Sequence, residues 1–184
     1  MSEYMLICYC SPTLAGIKTG SLFTCDYKCR KNIHLEIRRI NRFLVPKGLR
    51  LLPLNFNKGK VLIYLYRPHQ LEKDLTNRTA SRLLKQCGYS LKNVNYCIVE
   101  LIGKLNNPGN SFPHEIGLFL GYPPEDVDGF MNGGPDAYKY SGLWKVYGDV
   151  EKAKQTFKAY KICTENYKHG WNNGCSLEQL AVSV

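Results

Sequence analysis

The sequence predicts a single α+β domain over residues 1–184, with a mixed β-sheet of about four to six strands packed with helices. The chain has 184 residues, a length that suits one domain. Hydrophobic residues make up 44% of the chain, which is enough for a core. Helical and strand patterns follow one another without a regular βαβ alternation, which favours the α+β class.

The first third of the chain predicts a strand, a helix and a hairpin. The short apolar run YMLICY, residues 4–9, predicts a buried strand, and residues 11–23 predict a loop with one helical turn. The stretch 30–48 predicts an amphipathic helix that ends at Pro46 and Gly48. Its apolar face is formed by Ile33, Ile37, Ile40 and Leu44. Two apolar runs around Asn-Lys-Gly, residues 57–59, predict a β-hairpin.

The remainder predicts mainly helices. We expect helices at 78–87 and 91–105, a short helix at 114–120, another in 123–131, and a long last helix capped by Asp149. The segments between and after them predict a loop at 106–113, a mobile loop at 132–142, a strand at 143–148 and a terminal strand at 180–184.

The net charge of +10 allows attraction to nucleic acid, acidic proteins or anionic small molecules. The basic residues are spread along the chain and form no arginine-rich tail, so a solvated basic surface explains them well. A recognition helix, an RNP-like strand and an aromatic-rich basic stripe are all lacking, so the sequence does not favour a nucleic-acid partner.

The short apolar segments and the spacing of the cysteines predict a cytoplasmic protein without a metal site. Apolar runs stay shorter than the roughly 18–20 residues of a membrane span, and Met1–Glu3 lack the basic start of a secretory signal. Eight cysteines without an export signal indicate thiols rather than a disulfide framework. A CxxC pair is absent, and Cys8-x-Cys10 and Cys25-x3-Cys29 are weak metal signals.

Residues 10–18, CSPTLAGIK, form the first candidate site. If a strand delivers Cys10 to its end, the backbone N–H groups that follow could converge as an anion nest. Ser11 and Thr13 would add hydroxyl donors and Lys18 a positive charge, and these surroundings would lower the pKa of Cys10. The alternative is a buried cysteine beside a capped turn.

The second candidate is the adjacent pair His114 and Glu115. Position 118 is Leu, so the HExxH pattern of zinc proteases is absent. Because neighbours on a helix point about 100° apart, the two side chains cannot chelate one ion from a single face. One of them could act as an acid or base, or His114 could simply anchor the loop to the helix start.

The third candidate is the segment GLWKVYGD, residues 142–149. On a strand, Lys145 and Tyr147 would share one face and could bind an anionic ligand, while Trp144 could stack on a flat one. An aromatic core strand with Lys145 reaching to solvent explains the same residues.

Three segments resemble one family of bacterial proteins, a domain-of-unknown-function family numbered 3793. They are CSPTLAGIKTGSLF (10–23), FPHEIGLFLGYPPEDVDGF (112–130) and WKVYGD (144–149). The resemblance spans almost the whole chain and implies no established reaction. It implies an origin in anaerobic bacteria and a gene context of flavodoxin and iron uptake.

The resemblance also implies where the polar motif residues gather. Family members often have His-Cys where this chain has Tyr9-Cys10, and a Cys-rich segment before WKVYGD that this chain lacks. A metal site is therefore not expected. The resemblance instead implies one pocket that brings together the candidate residues Cys10, Thr13, Lys18, His114, Glu115, Lys145 and Tyr147. For Gly16, placed with the ligand-binding residues, and for Gly117, Gly121 and Pro123, a structural role through tight turns or close packing is expected.

The leading functional hypothesis is a cytoplasmic protein that binds a small anionic, nucleotide- or flavin-like ligand in a pocket built from residues 10–18, 112–117 and 144–148. In this hypothesis Ser11, Thr13, Gly16, Lys18, Lys145 and Tyr147 bind the ligand. His114 and Glu115 supply polar or acid–base groups. The second hypothesis is a thiol redox protein or enzyme that uses Cys10, with His114 as a possible base. The third is a basic module that docks on an acidic protein such as a flavodoxin. The sequence identifies neither a cofactor nor a reaction.

Overall fold

In the computed structural model, the described residues are 1–107, 109, 111–134 and 136–183. They confirm the α+β class, and they divide into two compact units. The first unit comprises Met1–His69 and Tyr160–Val184, and the second comprises Gln70–Ala159. The expected mixed sheet is replaced among these residues by two small antiparallel sheets, of three and two strands.

The first unit is built on a three-stranded antiparallel sheet. Its strands are β1 (Gly20–Asp26), β2 (Arg50–Asn57) and β3 (Lys60–Tyr66), in the order β1-β3-β2. Its helices are α1 (Glu3–Leu14), α2 (Arg30–Leu44), a 3-10 turn (Val45–Lys47), the end of α8 (Val150–Asn172) and α9 (Leu177–Leu180). Helices α1 and α2 contribute to one buried core with the sheet residues Val61, Ile63 and Leu65.

The expected strand at residues 4–9 is wrong, because these residues belong to helix α1. A short apolar run has the same hydrophobic pattern in a buried strand and in a buried helix, so its periodicity cannot separate the two. The loop expected at 11–23 is wrong at both ends, since it begins inside α1 and ends inside β1. The usable signal was the alternation in Phe23–Asp26, whose side chains are alternately buried and exposed.

Helix α2 and the β-hairpin are confirmed. The four isoleucine and leucine residues expected on the apolar face of α2 are all buried. The hairpin turns at Lys58 and Gly59, which both have positive φ angles, of 45° and 77°. Two consecutive positive φ angles are typical of the tight turns that match the twist of paired strands.

The buried arginine Arg67, which follows β3, ties three parts of the first unit together. Its guanidinium donates to the carbonyl oxygens of Thr13, Leu14 and Val182, each at 2.8 Å. Its backbone N–H donates to the Thr19 carbonyl at 2.9 Å. Because the last carbonyls of a helix have no partner within the helix, Arg67 satisfies the end of α1 and fixes the C-terminal segment beside it.

The second unit is mostly helical. Its helices are α3 (Pro68–Thr76, from Gln70 onward), α4 (Arg78–Gln86), α5 (Val94–Asn106), α6 (Ile116–Phe119), α7 (Pro124–Asn132) and the start of α8, and its strands are β4 (Tyr140–Ser141) and β5 (Lys145–Val146). Helices α4 to α8 were expected, whereas α3 was not. The strand expected at 143–148 is reduced to the two residues of β5. Asp149 caps α8 as expected, because its carboxylate accepts from the Lys152 N–H at 3.0 Å.

Some expectations fall partly outside the described residues. The loop expected at 106–113 includes Pro108 and Asn110, and the mobile loop expected at 132–142 includes Pro135. The terminal strand expected at 180–184 includes Val184, and its first residue, Leu180, is the last residue of helix α9. In the part of the chain that the structure describes, none of the helices is long and apolar enough to cross a membrane.

Replacing Arg67 by Met will lower the free energy of unfolding by about 3 kcal/mol or more, because buried carbonyl groups lose their charged donor. Urea denaturation followed by circular dichroism measures this loss. Arg38, exposed on α2, provides the control: Arg38→Met should change the free energy of unfolding by less than about 0.5 kcal/mol. Equal effects of the two substitutions would contradict the role given to Arg67.

Candidate functional site

The sequence-predicted site residues are divided between the two units. Cys10, Ser11, Thr13, Gly16 and Lys18 lie in the first unit, at the end of α1 and in the turn after it. His114, Glu115, Lys145 and Tyr147 lie in the second unit. The two groups of residues are described separately, each within its own unit.

Residues 10–14 form the last part of α1 and are buried. The hydroxyl of Ser11 donates to the Ile7 carbonyl, and the hydroxyls of Thr13 and Ser21 are hydrogen-bonded at 2.9 Å. The Ser11 bond lies within α1, whereas the bond between Thr13 and Ser21 joins the helix end to β1. As ligand-binding residues, Ser11 and Thr13 remain predictions.

The expectation that backbone N–H groups converge after Cys10 is wrong. Residues 15–18 follow the C-terminus of a helix, and their N–H groups donate back to α1 carbonyls. Those of Ile17 and Lys18 both reach the Pro12 carbonyl, at 3.0 and 3.1 Å. Gly16 has a φ angle of 80°, the left-handed conformation in which helices often end. The negative end of a helix dipole does not attract anions.

Cys10 and Lys18 influence each other inside the first unit. Burial raises the pKa of the Cys10 thiol, and the nearby Lys18 opposes this only in part. Burial also lowers the pKa of Lys18 to about 8. Because the thiolate is the reactive form of cysteine, the surroundings of Cys10 do not favour nucleophilic chemistry at neutral pH.

The second unit contains a cavity of about 220 Å³, called the aromatic pocket below. It is lined by Phe112, His114, Ile116, Gly117, Tyr122, Asp126, Val127, Phe130, Leu143, Trp144 and Lys145. Most of these side chains are apolar or aromatic. The basic side chains on its wall are those of His114 and Lys145, which come from two different segments of the chain.

The buried carboxylate of Asp126 fixes one wall of the aromatic pocket. One of its oxygens accepts from the indole N–H of Trp144 at 2.7 Å. The other accepts from the backbone N–H groups of Tyr147 and Gly148, both at 2.8 Å. Helix α7 thereby holds the segment 144–148 in place, and the indole ring keeps one orientation.

Aromatic neighbours complete the fixation of Trp144. The ring of Tyr122 stacks on it, with the ring centroids 4.6 Å apart, and Phe157 meets it edge-on at 4.4 Å. Gly117 makes room for this cluster, because a Cβ atom there would lie 2.9 Å from Val127 and 3.1 Å from the ring of Tyr122. The glycine of the central motif is thus explained by packing, as the sequence indicated.

His114 and Lys145 are held at the aromatic pocket by aromatic contacts. The imidazole of His114 is exposed and meets the ring of Phe130 edge-on, with the centroids 5.0 Å apart. The ammonium group of Lys145 lies 4.4 Å from the centroid of Tyr138. Both side chains can therefore donate hydrogen bonds to a ligand whose ring occupies the cavity.

Glu115 turns away from the aromatic pocket into a neighbouring polar cavity. Its carboxylate accepts from the Tyr89 hydroxyl at 3.1 Å and lies 3.7 Å from the Lys104 ammonium group. Burial, followed by the charge of Glu115, raises the pKa of Tyr89. His114 also borders this polar cavity, which has a volume of about 530 Å³. A catalytic role of Glu115 stays a prediction.

Tyr147 is not among the residues that line the aromatic pocket. Its ring packs against Gly129 of α7, where a Cβ atom would come within 2.3 Å of it. Lys145 and Tyr147 therefore differ in their surroundings, although they are two residues apart. The ligand-binding role proposed for Tyr147 stays a prediction.

Sequence reasoning singled out Trp144 but missed Asp126 and the other aromatic residues of the pocket, Phe112, Tyr122 and Phe130. Asp126 lies in the first turn of α7, where an acidic residue is explained by the helix dipole alone. Its burial, and its pairing with a tryptophan 18 positions away, leave no local pattern. The described residues contain no group of three or more His, Cys, Asp or Glu side chains that could hold a metal ion.

Cys10 will resist alkylation in the folded protein. Iodoacetamide labelling followed by peptide mass spectrometry should modify the exposed Cys29 in native buffer and Cys10 only after denaturation. Labelling of native Cys10 as fast as Cys29 would contradict the burial described above and support a reactive thiol.

The substitution Asp126→Asn will disturb the aromatic pocket, because an amide N–H₂ group would face the indole N–H of Trp144. We expect a loss of about 1–3 kcal/mol in the free energy of unfolding and a shifted Trp144 emission. The emission is read in a Trp171→Phe background, so that it reports on Trp144 alone. The control Asp136→Asn, at an exposed residue, should change neither quantity, and an unaltered Asp126→Asn protein would refute the role of this carboxylate.

Comparison with known proteins gives one match. Residues 6–181 match the family described as "Protein of unknown function (DUF3793)". Searches of curated proteins and of solved structures gave no match. The family match covers helix α1 from Leu6 onward, both sheets, the aromatic pocket and helix α9. The chain therefore belongs to the DUF3793 family.

Proposed function

We propose that this protein binds a small ligand that combines a flat aromatic ring with an anionic group, as nucleotides and flavins do. The observation that carries the proposal is the aromatic pocket, in which a fixed tryptophan and two basic side chains line one cavity. Such a combination of apolar walls with a few polar groups is typical of small-molecule sites.

The size of the cavity supports the binding of one ring system. Its volume of about 220 Å³ is less than the roughly 300–1,000 Å³ of pockets that enclose a whole drug-sized ligand. The ring would therefore enter the cavity while the rest of the ligand stays outside. Contact with an aromatic side chain contributes about 1–3 kcal/mol per stacked base, and the exposed rings of Phe112 and Phe130 are available for it.

The anionic group would be bound by Lys145 and His114. Lys145 provides a positive charge beside the cavity, and its contact with Tyr138 leaves the ammonium N–H groups able to donate. The one carboxylate on the pocket wall, Asp126, is already occupied by three donors. Because these donors leave Asp126 no free acceptor facing the cavity, Lys145 and His114 are the groups of the wall that can pair with an anion.

The fixed geometry of Trp144 favours ligand binding as well. Because Asp126, Tyr122 and Phe157 hold the indole in place, little side-chain entropy remains to be lost when a ligand binds. More hydrogen bonds and packing contacts hold Trp144 than a tryptophan on an ordinary surface needs. We expect such a fixed ring where it forms part of a binding site.

We propose that the ligand is bound in the cytoplasm and that a flavin-like ligand is the first choice. All eight cysteines are free thiols, which fits a reducing compartment. A flavin would also fit the redox and iron-uptake setting that the family resemblance implies. The proposal concerns binding, and it assigns no reaction to the protein.

Titration with FMN and AMP tests the proposal, with the quenching of Trp144 emission in a Trp171→Phe background as the readout. We expect at least one of the two to bind. Its uncharged counterpart, riboflavin or adenosine, should bind about tenfold more weakly, because a charge-assisted hydrogen bond contributes about 1.5 kcal/mol. The substitution Lys145→Met should weaken the binding of the phosphate compound by a similar factor and leave the binding of the uncharged compound unchanged.

Lys152 serves as the matched control, because it is an exposed lysine of the same unit outside the pocket. Lys152→Met should bind FMN or AMP as tightly as the parent protein. If neither compound quenches Trp144, or if both lysine substitutions have the same effect, the proposed site is wrong.

A further inference from the structure

The positive charge of the chain is concentrated in the first unit. This unit contains 14 of the 25 Lys and Arg residues but only 5 of the 15 Asp and Glu residues, which gives it a net charge of +9. The second unit contains 11 basic and 10 acidic residues, a net charge of +1. The net positive charge of the protein therefore comes almost entirely from the first unit.

Much of this charge lies on and beside helix α2, on a surface that we call the basic face. The residues of the basic face are Lys28, Arg30, Lys31, Arg38, Arg39, Arg42, Lys58 and Lys60, and all of them are exposed. The apolar side of α2 is buried against the core, so its basic side is left to solvent. The lysines of the hairpin turn are placed next to Lys28 by the hydrogen bond from the Tyr27 N–H to the Gly59 carbonyl, at 2.9 Å.

Three acidic residues lie at the basic face, and one of them, the exposed Asp26, is directly opposite Lys60 in the strand pair. Glu3 pairs with Arg39 at 2.8 Å, and Glu36 is occupied by the amino group of Met1 at 2.6 Å. Within the described chain, the other cations of the basic face make no ion pair. Such unbalanced charge lowers the stability of the folded state, because like charges repel one another.

An exposed leucine lies in the middle of these cations. Leu35 has 52% of its surface accessible. On a helix its neighbours are the residues three and four positions away, which include Lys31, Arg38 and Arg39. An apolar centre with a charged rim is the usual composition of a protein–protein interface.

We infer that the basic face is a docking surface for an acidic surface of another protein, with Leu35 at its centre. Charge complementarity identifies the occupant as acidic, and Leu35 identifies it as a protein rather than a phosphate backbone. The ring of Phe56, which Arg30 of the basic face contacts at 4.9 Å, is also in contact with Tyr27 at 5.1 Å. It does not offer the open stacking platform that single-stranded nucleic acid uses.

A labelled synthetic helical peptide of glutamate and leucine serves as the probe, and fluorescence anisotropy measures its binding. The triple substitution Lys31→Ala, Arg38→Ala, Arg42→Ala should weaken binding by about tenfold or more, since alanine keeps the helix and removes three attractive charges. The binding of the unchanged protein should weaken steeply at high salt. The substitution Leu35→Ser should weaken binding of this peptide but not of a matched peptide with serine in place of leucine.

The control triple variant Lys85→Ala, Lys152→Ala, Lys158→Ala removes the same charge from exposed sites of the second unit and should bind the peptide normally. Equal losses in the two triple variants would overturn the inference, because they would indicate a general charge effect. Absence of peptide binding, no effect of Leu35→Ser, or tighter binding of single-stranded oligothymidylate than of the peptide would also overturn it. None of these results depends on the aromatic pocket, so the two proposals succeed or fail separately.

Discussion

The carboxylate of Asp126 is buried in the second unit. It accepts three hydrogen bonds there, from the indole N–H of Trp144 and from the backbone N–H groups of Tyr147 and Gly148. Burying a charged group is costly unless it is fully hydrogen-bonded, and these donors meet that requirement. The same three bonds orient Trp144 and fix the backbone that carries Lys145. The stability of this unit and the shape of its aromatic pocket therefore depend on one side chain.

Arg67 is the corresponding buried charge in the first unit, and it is positive. Its guanidinium is surrounded by carbonyl oxygens of Thr13, Leu14 and Val182 and has no carboxylate partner in the described chain. The end of helix α1 is thus neutralised by an arginine, and residues 15–18 follow it as a helix end. An anion at this point would meet carbonyl groups. The second unit is therefore the better place for an anionic ligand, although residues 10–18 formed the first candidate site in the sequence.

The sequence predicted those elements whose pattern is local. Helix α2 shows the spacing of its buried isoleucines, and the hairpin shows a turn with Gly59 between two apolar runs. Helix α1 was mistaken for a strand because the exposed positions of residues 4–9 carry the aromatic residues Tyr4 and Tyr9, so no charged residue interrupts the apolar run. For the candidate site, His114 and Lys145 were found from residue type and motif. Asp126 was missed because its burial and its partner are set by the packing of distant segments, which the local sequence does not record.

The central claim is that the aromatic pocket holds a flat anionic ligand. Native mass spectrometry of protein purified anaerobically from its own host tests this claim most directly, when wild type is compared with the double variant His114→Ala, Lys145→Met. We expect the wild type to carry a small molecule that absorbs in the near ultraviolet or visible range and bears an acidic group, and the variant to have lost it. A wild type without any bound molecule, or a variant that retains the same molecule in the same amount, would contradict the claim.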